Sequence, residues 1–432
     1  VGAVVGVMCN SLMRGEDGAV SPELRWVTEN IAQPIGQVFL RLIFMVVIPL
    51  VFSALALGVA GIGDVRRLGR MGLRTLFFTV LLSGASVAIA LTFANVIRPG
   101  DMPAEKSQLL REQFATRDKA GKIVANVDLA KEKKLHKILL DIIPTNPLQE
   151  AVGALDGSAP GGGMLAVMFF ALMIGAAITL APERTGPLVN VLEGVYDVTM
   201  VIIRLAMYLA PVGVAALVFS LTALMGYDIL VSLLWFVLTV IAGLALHVLL
   251  VYTLVLVLFA RVQPWQFFGQ ISQVMLTAFG TASSNATLPT ALSVAEEKLR
   301  LEPEVSRFVL TVGSTANQNG TALFEGITVL FLAQVFGQPL SMDQQVYVVL
   351  MSVLAGIGTA GVPGGSLPLI ALVLVAVGIP AESIGIILGV DRLLDMCRTT
   401  VNVTGDLVVA ACVNRGEITR GDNLEVLSAG KE

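Results

Sequence analysis

The chain has 432 residues and a formal net charge of −4, and only 14% of its residues are charged while 55% are hydrophobic. Soluble proteins carry about 25% charged residues, so this composition, with a mean hydropathy of +0.82, excludes an ordinary soluble protein and favours a polytopic membrane protein. The small net charge indicates no nucleic-acid partner, and the few dispersed cysteines and histidines predict neither a disulfide framework nor a metal cofactor.

Apolar segments recur along the chain, and a membrane-spanning helix needs about 20 such residues. They lie at residues 1–12, 34–62, 75–97, 164–181, 191–222, 228–260, 264–294, 307–337, 346–378 and 383–413. The run at 1–8 is interpreted as part of a helix and not as a signal peptide, because no basic stretch precedes it. Four arginines between residues 66 and 74 predict a cytoplasmic loop, so the polar stretch 101–145 should be extracellular.

Small and polar residues interrupt the later apolar segments, at residues 282–289, 313–321 and 356–366. Broken helices persist in lipid only where they line a protein cavity, because unpaired backbone costs several kcal/mol per group. Ser284 precedes Asn317 by about as many residues as Pro363 precedes Arg398, which indicates an inverted repeat of hairpin plus helix. Two unrelated kinked helices are the alternative, since glycine and proline are common in membrane helices.

The final apolar segment carries ionisable groups, each of which costs at least about 2.5 kcal/mol to insert into a bilayer. At about 100° per residue, its polar side chains fall within about 80° of one another on a helical wheel. They are Asp391, Asp395, Arg398, Asn402 and Asp406. This polar face predicts a binding site, although a simple internal ion pair between Asp395 and Arg398 is the alternative.

The chemistry of this face suits a zwitterion with an additional acid group. Arg398 offers a planar fork of donors that matches a carboxylate, and Asp395 can receive an ammonium group. Asn402 has both a donor and an acceptor, and Asp406 is a hard oxygen ligand for a small cation. The sequence therefore favours an amino acid with an acidic side chain as the ligand.

The preceding polar segment carries a stripe of its own, formed by Asn317, Thr321 and Glu325 at intervals of four residues. Asn317 and backbone carbonyls of an unwound stretch from Gly313 to Gly320 are candidate sodium ligands. A carboxyl group held away from water favours its neutral form, so Glu325 is a candidate proton carrier. A structural hydrogen bond from Glu325 to a neighbouring helix is the alternative.

These segments resemble the glutamate transporter family, which includes bacterial and archaeal symporters and the excitatory amino-acid transporters. The resemblance runs from Pro34 to about Arg415. It rests on the stretches SSNATLP at 283–289, NQNGT at 317–321, GTAGVPG at 358–364, DRLLDMCRTTVNVTGD at 391–406 and DIIPTNP at 141–147.

The resemblance implies an all-α membrane protein with eight transmembrane helices, two re-entrant hairpins and an elevator mechanism with inverted repeats. It implies a homotrimer in the inner (plasma) membrane, with scaffold helices at 1–72, scaffold and trimerisation helices at 146–225, and the loop at 101–145. The transport domain would comprise the helix at 73–100 and residues 226–432, with hairpins at about 264–294 and 346–378.

The resemblance also implies the role of each site residue for L-aspartate or L-glutamate. Arg398 would bind the side-chain carboxylate, Asp395 the amino group, and Asn402 with Thr399 the main-chain carboxylate. The rest of the pocket would be formed by Ser284, Asn285, Thr321, Val362 and Gly364.

The resemblance also implies three cation sites, and the residues of this sequence match them to different degrees. One would use carbonyls of Gly313, Asn317 and Asn402 with the Asp406 carboxylate. A second would use carbonyls of Thr315, Gly356, Ile357 and Thr359. The third departs from the family pattern, because Asn319 stands where sodium-coupled members have an acid, and their Thr-Ser pair falls on Leu82 and Ser83. We predict that this third site is absent or weak.

Glu325 stands where the resemblance places the proton-carrying glutamate of the mammalian members. The sequence therefore predicts an acidic amino-acid symporter with H+ and/or Na+ as coupling ions, and a conventionally sodium-coupled symporter as the alternative. A channel is disfavoured because the polar residues concentrate at one site. An intramembrane enzyme is disfavoured because Arg398, beside Asp391 and Asp395, would hold both ionised instead of letting them share a proton.

Overall fold

A computed structural model of the chain describes residues 2–13, 20–60, 69–114, 143–153, 164–358 and 366–429. All regular secondary structure in these ranges is helical. The predicted site residues Thr359, Val362 and Gly364, and most of the polar stretch 101–145, lie outside the described residues.

The first part of the chain contains long apolar helices together with several shorter helices. Their bounds are α1 Gly2–Leu12, α2 Pro22–Val27, a π-helical stretch Thr28–Ala32 that leads into α3 Gln33–Phe44, α4 Val47–Ala60, α5 Gly69–Ile97, α6 Ala104–Phe114, α7 Pro147–Gly153, α8 Met164–Leu180 and α9 Pro182–Met225. The predicted segment 34–62 is therefore divided at residues 45–46, and α9 extends beyond the predicted 191–222.

The second part begins with a helical rod over residues 228–260 and continues with shorter helices that are followed by one long helix. Their bounds are α10 Asp228–Leu246, a π stretch His247–Tyr252, α11 Thr253–Val255, a π stretch Leu256–Ala260, α12 Pro264–Thr281, α13 Ser284–Glu297, α14 Pro303–Ala316, α15 Asn319–Val335, α16 Met342–Gly358, α17 Leu367–Ala376, a 3-10 turn Ala381–Ile386 and α18 Leu388–Ala429.

Four stretches among the described residues are helical, long and apolar enough to cross a membrane. They are Pro22–Leu57, Met71–Ile97, Tyr208–Met225 and Ile229–Ala260. Shorter apolar helices occur at Gly2–Leu12, Ala166–Leu180 and Met342–Leu354. These helices agree with a multi-pass membrane protein, while the predicted number of eight spans stays a prediction.

The first predicted hairpin and the broken helix are visible in the backbone. Helices α12 and α13 pack against each other around a turn at Ala282, whose φ of 48° is left-handed. Helices α14 and α15 are separated by Asn317 and Gln318, which have ψ angles of 72° and 57°. The predicted unwinding from Gly313 to Gly320 is wrong in its extent, because the helix continues to Ala316 and restarts at Asn319.

Helix α15 lies at the centre of the fold. All of its residues except Gln334 are buried, and it packs against α5, α10, α16 and α18. A helix that is apolar on all sides belongs in a protein interior, so its polar residues face neighbouring helices and not lipid. This placement sets the start of α15 directly against the polar face of α18.

Candidate functional site

The guanidinium of Arg398 is the most buried charge of the polar face, with an exposed fraction of 1%. Its Nε donates to Asp395 Oδ1 at 3.0 Å, and its Nη1 donates to Asp391 Oδ1 at 3.1 Å. The ring of Phe324, on α15, lies under the guanidinium with 4.3 Å between Cζ and the ring centroid. The ion pair considered in the sequence is thus present and includes a second carboxylate.

One nitrogen of Arg398 is left over from these contacts. Nη2 is buried and has no hydrogen-bond partner among the described residues. A buried donor without a partner costs about 1–3 kcal/mol, and more when the group is charged. The two acids and the aromatic ring therefore hold Arg398 in one orientation while its Nη2 side stays able to bind a carboxylate.

Asn402 holds the start of α15. Its Oδ1 accepts hydrogen bonds from the backbone N–H groups of Gly320 at 2.7 Å and Thr321 at 3.3 Å. Its Nδ2 donates to Gln318 Oε1 and to Thr321 Oγ1. The first N–H groups of a helix have no partner within the helix, so Asn402 caps α15 from another helix.

The backbone of the break lies very close to the polar face of α18. A Cβ added to Gly320 would lie 2.6 Å from the carbonyl oxygen of Arg398 and 3.1 Å from Asn402 Oδ1. Only glycine permits this approach, since the first of these atoms is backbone and cannot move aside. Gly320 therefore sets how closely α15 approaches the candidate substrate residues.

Asp406 lies against the end of α14. Its Oδ1 accepts a hydrogen bond from Asn317 Nδ2 at 2.9 Å, and a Cβ on Gly313 would lie only 2.5 Å from the same oxygen. Asn317 Oδ1 is buried and has no partner among the described residues. A buried carboxylate beside an unpaired amide oxygen is a hard donor set, which fits a small monovalent cation.

The predicted third cation site contains uncharged groups instead. Ser83 Oγ donates to Asn319 Oδ1 at 2.8 Å, Asn319 Nδ2 donates to the Tyr252 hydroxyl at 3.3 Å, and that hydroxyl donates to the Val401 carbonyl at 3.0 Å. We call these four residues the neutral network. Leu82 beside it is fully buried and offers no oxygen. The side chains of this network bring no charge to balance a cation, and a cation would have to compete for oxygens that already take part in hydrogen bonds.

Glu325 is fully buried on α15, two turns after the break. Neither carboxyl oxygen has a hydrogen-bond partner among the described residues. The structural hydrogen bond that was the alternative role for Glu325 is therefore not present in the described part of the chain. A carboxyl group in this environment is far more stable in its neutral form than as an anion.

The remaining predicted site residues differ in burial. Ser284 and Thr399 are buried, whereas Asn285 is exposed at the start of α13. Ser283 Oγ caps this helix by accepting from the Ala286 N–H at 3.2 Å. The structure records no side-chain contact that joins Ser284 or Asn285 to Arg398 among the described residues.

The second predicted cation site can be followed only in part. Gly356 and Ile357 lie in the last turn of α16, where backbone carbonyls have no intrahelical partner. Thr315 lies one residue before the end of α14. Thr359 is outside the described residues, so the convergence of these carbonyls stays a prediction.

Sequence reasoning missed several contributors to the site. Phe324 and Gln318 were not singled out, and Asp391 had no assigned role. Tyr252 was overlooked too, although a tyrosine within an apolar run is a usable signal, since its buried hydroxyl needs a partner. Phe324 carries no such signal, and the polar motif around Gln318 indicates a site but not its partner, because both contacts depend on how α15 meets α18.

Apolar membrane-length helices, a helix broken in its middle and a buried cluster of charges define the class of secondary membrane transporters. Comparison with known proteins then identifies the family. The chain belongs to the sodium:dicarboxylate symporter family, whose model matches residues 1–416. The resemblance seen in the sequence motifs is confirmed.

Similar proteins span nearly the whole chain. The proton/sodium-glutamate symport protein of Bacillus subtilis is 32% identical over 96% of this chain and 91% of its own length. The proton/glutamate-aspartate symporter of Escherichia coli is 30% identical over 96% and 91%. Excitatory amino acid transporter 1 of Ambystoma tigrinum is 30% identical over 90% of this chain and 78% of its own.

Proposed function

We propose that this protein is a secondary active symporter of acidic amino acids, with L-aspartate or L-glutamate as its substrate. The observation that carries the proposal is the buried Arg398 guanidinium, whose Nη2 has no hydrogen-bond partner in the described part of the chain and lies beside the Asp395 carboxylate. This arrangement can bind a carboxylate and an ammonium group a few ångströms apart. The names of the bacterial relatives agree with such a substrate.

The substrate's side-chain carboxylate binds to Arg398, and its amino group binds to Asp395. Thr399 and Asn402 bind the main-chain carboxylate, which requires Asn402 to exchange part of its present hydrogen bonding with α15 for the ligand. Capture of the substrate is thus linked to the geometry of the break. The pocket is completed by Ser284, Asn285, Thr321, Val362 and Gly364.

The protein works by an elevator movement within a homotrimer in the plasma membrane. The transport domain comprises 73–100 and 226–432, and the scaffold comprises 1–72 and 146–225. Helix packing supports this division, because α5 packs on α15, and α12 and α14 pack on α18, whereas α1, α3 and α4 pack on α9. Helix α9 also presents exposed apolar side chains suited to lipid or a neighbouring subunit.

Coupling uses a proton on Glu325 and a cation at Asp406, without the third sodium ion. Three features support this assignment: the Glu325 carboxyl group and the Asn317 oxygen beside Asp406, neither of which has a partner where the structure is described, and the neutral network around Asn319. A buried carboxyl group can cross the membrane in neutral form, because protonation removes the cost of moving a charge through a low dielectric. A conventionally sodium-coupled symporter remains the competing assignment.

The substrate class is tested by counterflow. Purified protein in liposomes loaded with unlabelled aspartate or glutamate should accumulate the labelled amino acid, because a carrier exchanges substrate across the membrane. Succinate and alanine are the matched controls, as each lacks one of the recognised groups. Exchange of succinate alone, or an ionic current without exchange, would overturn the proposal.

The coupling ions are tested by titrating substrate binding across sodium concentration and pH together. Proton coupling predicts uptake driven by a pH gradient, and Glu325→Gln should abolish that uptake while exchange continues. Glu304→Gln is the matched control, since Glu304 is an exposed glutamate in the first turn of α14. A steep dependence on several sodium ions, with pH-driven uptake unchanged in Glu325→Gln, would establish the sodium-coupled alternative.

A further inference from the structure

The neutral network has a defined hydrogen-bond direction. The Tyr252 hydroxyl gives its single proton to the Val401 carbonyl, so its oxygen can only accept from residue 319. The Asn319 amide supplies that N–H with Nδ2 and accepts from Ser83 with Oδ1. All three side chains are at most 3% exposed. An amide, and not a carboxylate, is therefore the group that completes these hydrogen bonds.

The neutral network is packed tightly against α18. A Cβ on Gly405 would lie 2.5 Å from the Tyr252 hydroxyl and 2.8 Å from Asn319 Nδ2. The ring of Tyr252 also contacts His247, with 4.7 Å between ring centroids at an interplanar angle of 70°. The helical turn of α18 at residues 401–405, which contains Asn402, is thus held by the uncharged side chains of Tyr252 and Asn319. Ser83 on α5 in turn binds Asn319.

We propose that Asn319 and Tyr252 together are a built-in replacement for a bound monovalent cation. They link α5, α15 and α18 through fixed hydrogen bonds, and they hold Asn402 in register with Arg398 whether or not an ion is present. Tyr252 is in this account a positioning residue that acts through α18. The inference rests on the proposed function, because Asn402 and Arg398 are its substrate ligands.

A carboxylate at position 319 would reverse this arrangement. It would accept hydrogen bonds from both Ser83 and Tyr252, so the Val401 carbonyl would lose its donor and the buried negative charge would have no positive charge beside it in the neutral network. Such a charge is strongly destabilising unless a cation accompanies it. The change Asn319→Asp should therefore create a requirement for an ion, and Leu82→Thr should strengthen it by supplying an oxygen.

The first experiment needs no substrate. Thermal unfolding of the purified full chain is followed at pH 8 in sodium chloride and in choline chloride, for wild type, Asn319→Asp and Asn319→Asp/Leu82→Thr. We expect the two variants to gain a sodium-dependent rise in midpoint beyond that of wild type, and the double variant to gain more. Equal sodium responses in all three proteins would overturn the proposal.

The second experiment tests Tyr252 as the positioning residue. Tyr252→Phe removes one hydroxyl and should weaken aspartate or glutamate binding about tenfold, since two groups lose a hydrogen-bond partner. Sodium should not restore the affinity. Tyr208→Phe is the matched control, because Tyr208 is 81% exposed. A purely structural role would lower the unfolding midpoint and leave the dissociation constant at low temperature unchanged, which would contradict the assignment.

The proposed function and the inference about Asn319 and Tyr252 can be refuted independently of each other. If wild type binds neither acidic amino acid but Asn319→Asp gains the sodium response, the proposed substrate is wrong and the replacement of the cation stands. If wild type binds aspartate or glutamate and the carboxylate variants gain no sodium response, the proposed function stands and this inference is wrong.

Discussion

Two buried polar clusters contact the same helix, α18, and they differ in how they use their hydrogen-bonding groups. The charged cluster consists of Asp391, Asp395 and Arg398, and it leaves Arg398 Nη2 without a partner among the described residues. The neutral network, one turn further along, has each of its hydrogen bonds directed to another of its members. A ligand-binding site keeps hydrogen-bonding groups available for its ligand, whereas a structural link uses these groups to bind other parts of the protein.

The free-energy cost of burying each cluster also distinguishes a ligand-binding site from a structural link. A buried ion pair often contributes little net stability, because desolvation of the charges offsets their attraction. A buried neutral network whose groups are paired rigidifies the surrounding helices at much lower cost. Asn402 directly follows Val401 of the neutral network, is one helical turn after Arg398 and caps α15, so it is the residue through which the neutral network can affect the charged cluster.

The largest expected effect is from removing the positive charge at the centre of the charged cluster. Arg398→Gln should weaken aspartate or glutamate binding by about 4 kcal/mol, or roughly 1000-fold, because a desolvated carboxylate loses its partner. Arg398→Lys keeps the charge but loses the planar fork, and we expect an intermediate loss. Isothermal titration calorimetry measures both.

The matched control for this prediction is Arg392→Gln. Arg392 is on the same helix and is 4.0 Å from Asp395, but its side chain is 57% exposed. An exposed pair is worth about 0–1 kcal/mol, so affinity should change less than fivefold or so. Equal losses in the Arg392 and Arg398 variants would mean that general electrostatics, and not the buried fork, binds the substrate.

Alanine substitutions at two glycines compare the break between α14 and α15 with the interior of an ordinary helix. Gly320→Ala places a methyl group against backbone, whereas Gly84→Ala on α5 meets nothing within 4 Å. We expect Gly320→Ala to cost about 2–3 kcal/mol of stability and Gly84→Ala to gain about 0.5–1 kcal/mol by favouring helix. Thermal unfolding measures both, and similar midpoints would contradict the close approach of α15 to α18.

The sequence predicted the charged face, the break between α14 and α15 and the family, because these depend on residues within one segment. Helical periodicity placed Asp391, Arg398 and Asp406 on one face, and all are buried. The extent of the break was wrong because Gly313 to Ala316 can remain helical. Ser314 there satisfies its own hydroxyl by donating to the Thr311 carbonyl at 2.9 Å.

Partners that come from other helices were not predictable in the same way. The contacts of Phe324 with Arg398 and of Tyr252 with Asn319 depend on how α15, α18 and the helical rod cross. Periodicity shows which face of a helix is polar, but it does not show which residue of a neighbour meets it. The substrate roles of all the candidate residues stay predictions, those of Arg398, Asp395 and Asn402 as well as those of Ser284, Asn285 and Thr399.

Removing the side chain that caps α15 should have a smaller effect, and this effect should appear both in stability and in substrate binding. Asn402→Ala should lower stability by about 1–2 kcal/mol, because the N–H groups of Gly320 and Thr321 lose their acceptor. Substrate affinity should fall as well, since the proposed ligand is removed. Thermal unfolding and calorimetry on the same preparation measure the two effects. Asn190→Ala, at an exposed position of α9, should change neither.

The smallest effect concerns Thr328, one turn beyond Glu325. Its hydroxyl is fully buried without a hydrogen-bond partner among the described residues. It is thus an unsatisfied polar group like Arg398 Nη2 of the charged cluster, but it carries no charge. Thr328→Val keeps the shape and removes an unsatisfied group, which should be neutral or stabilising by up to about 1 kcal/mol. Thermal unfolding decides the sign. A loss of stability together with slower pH-driven uptake would show that the hydroxyl binds water on the path by which protons reach Glu325.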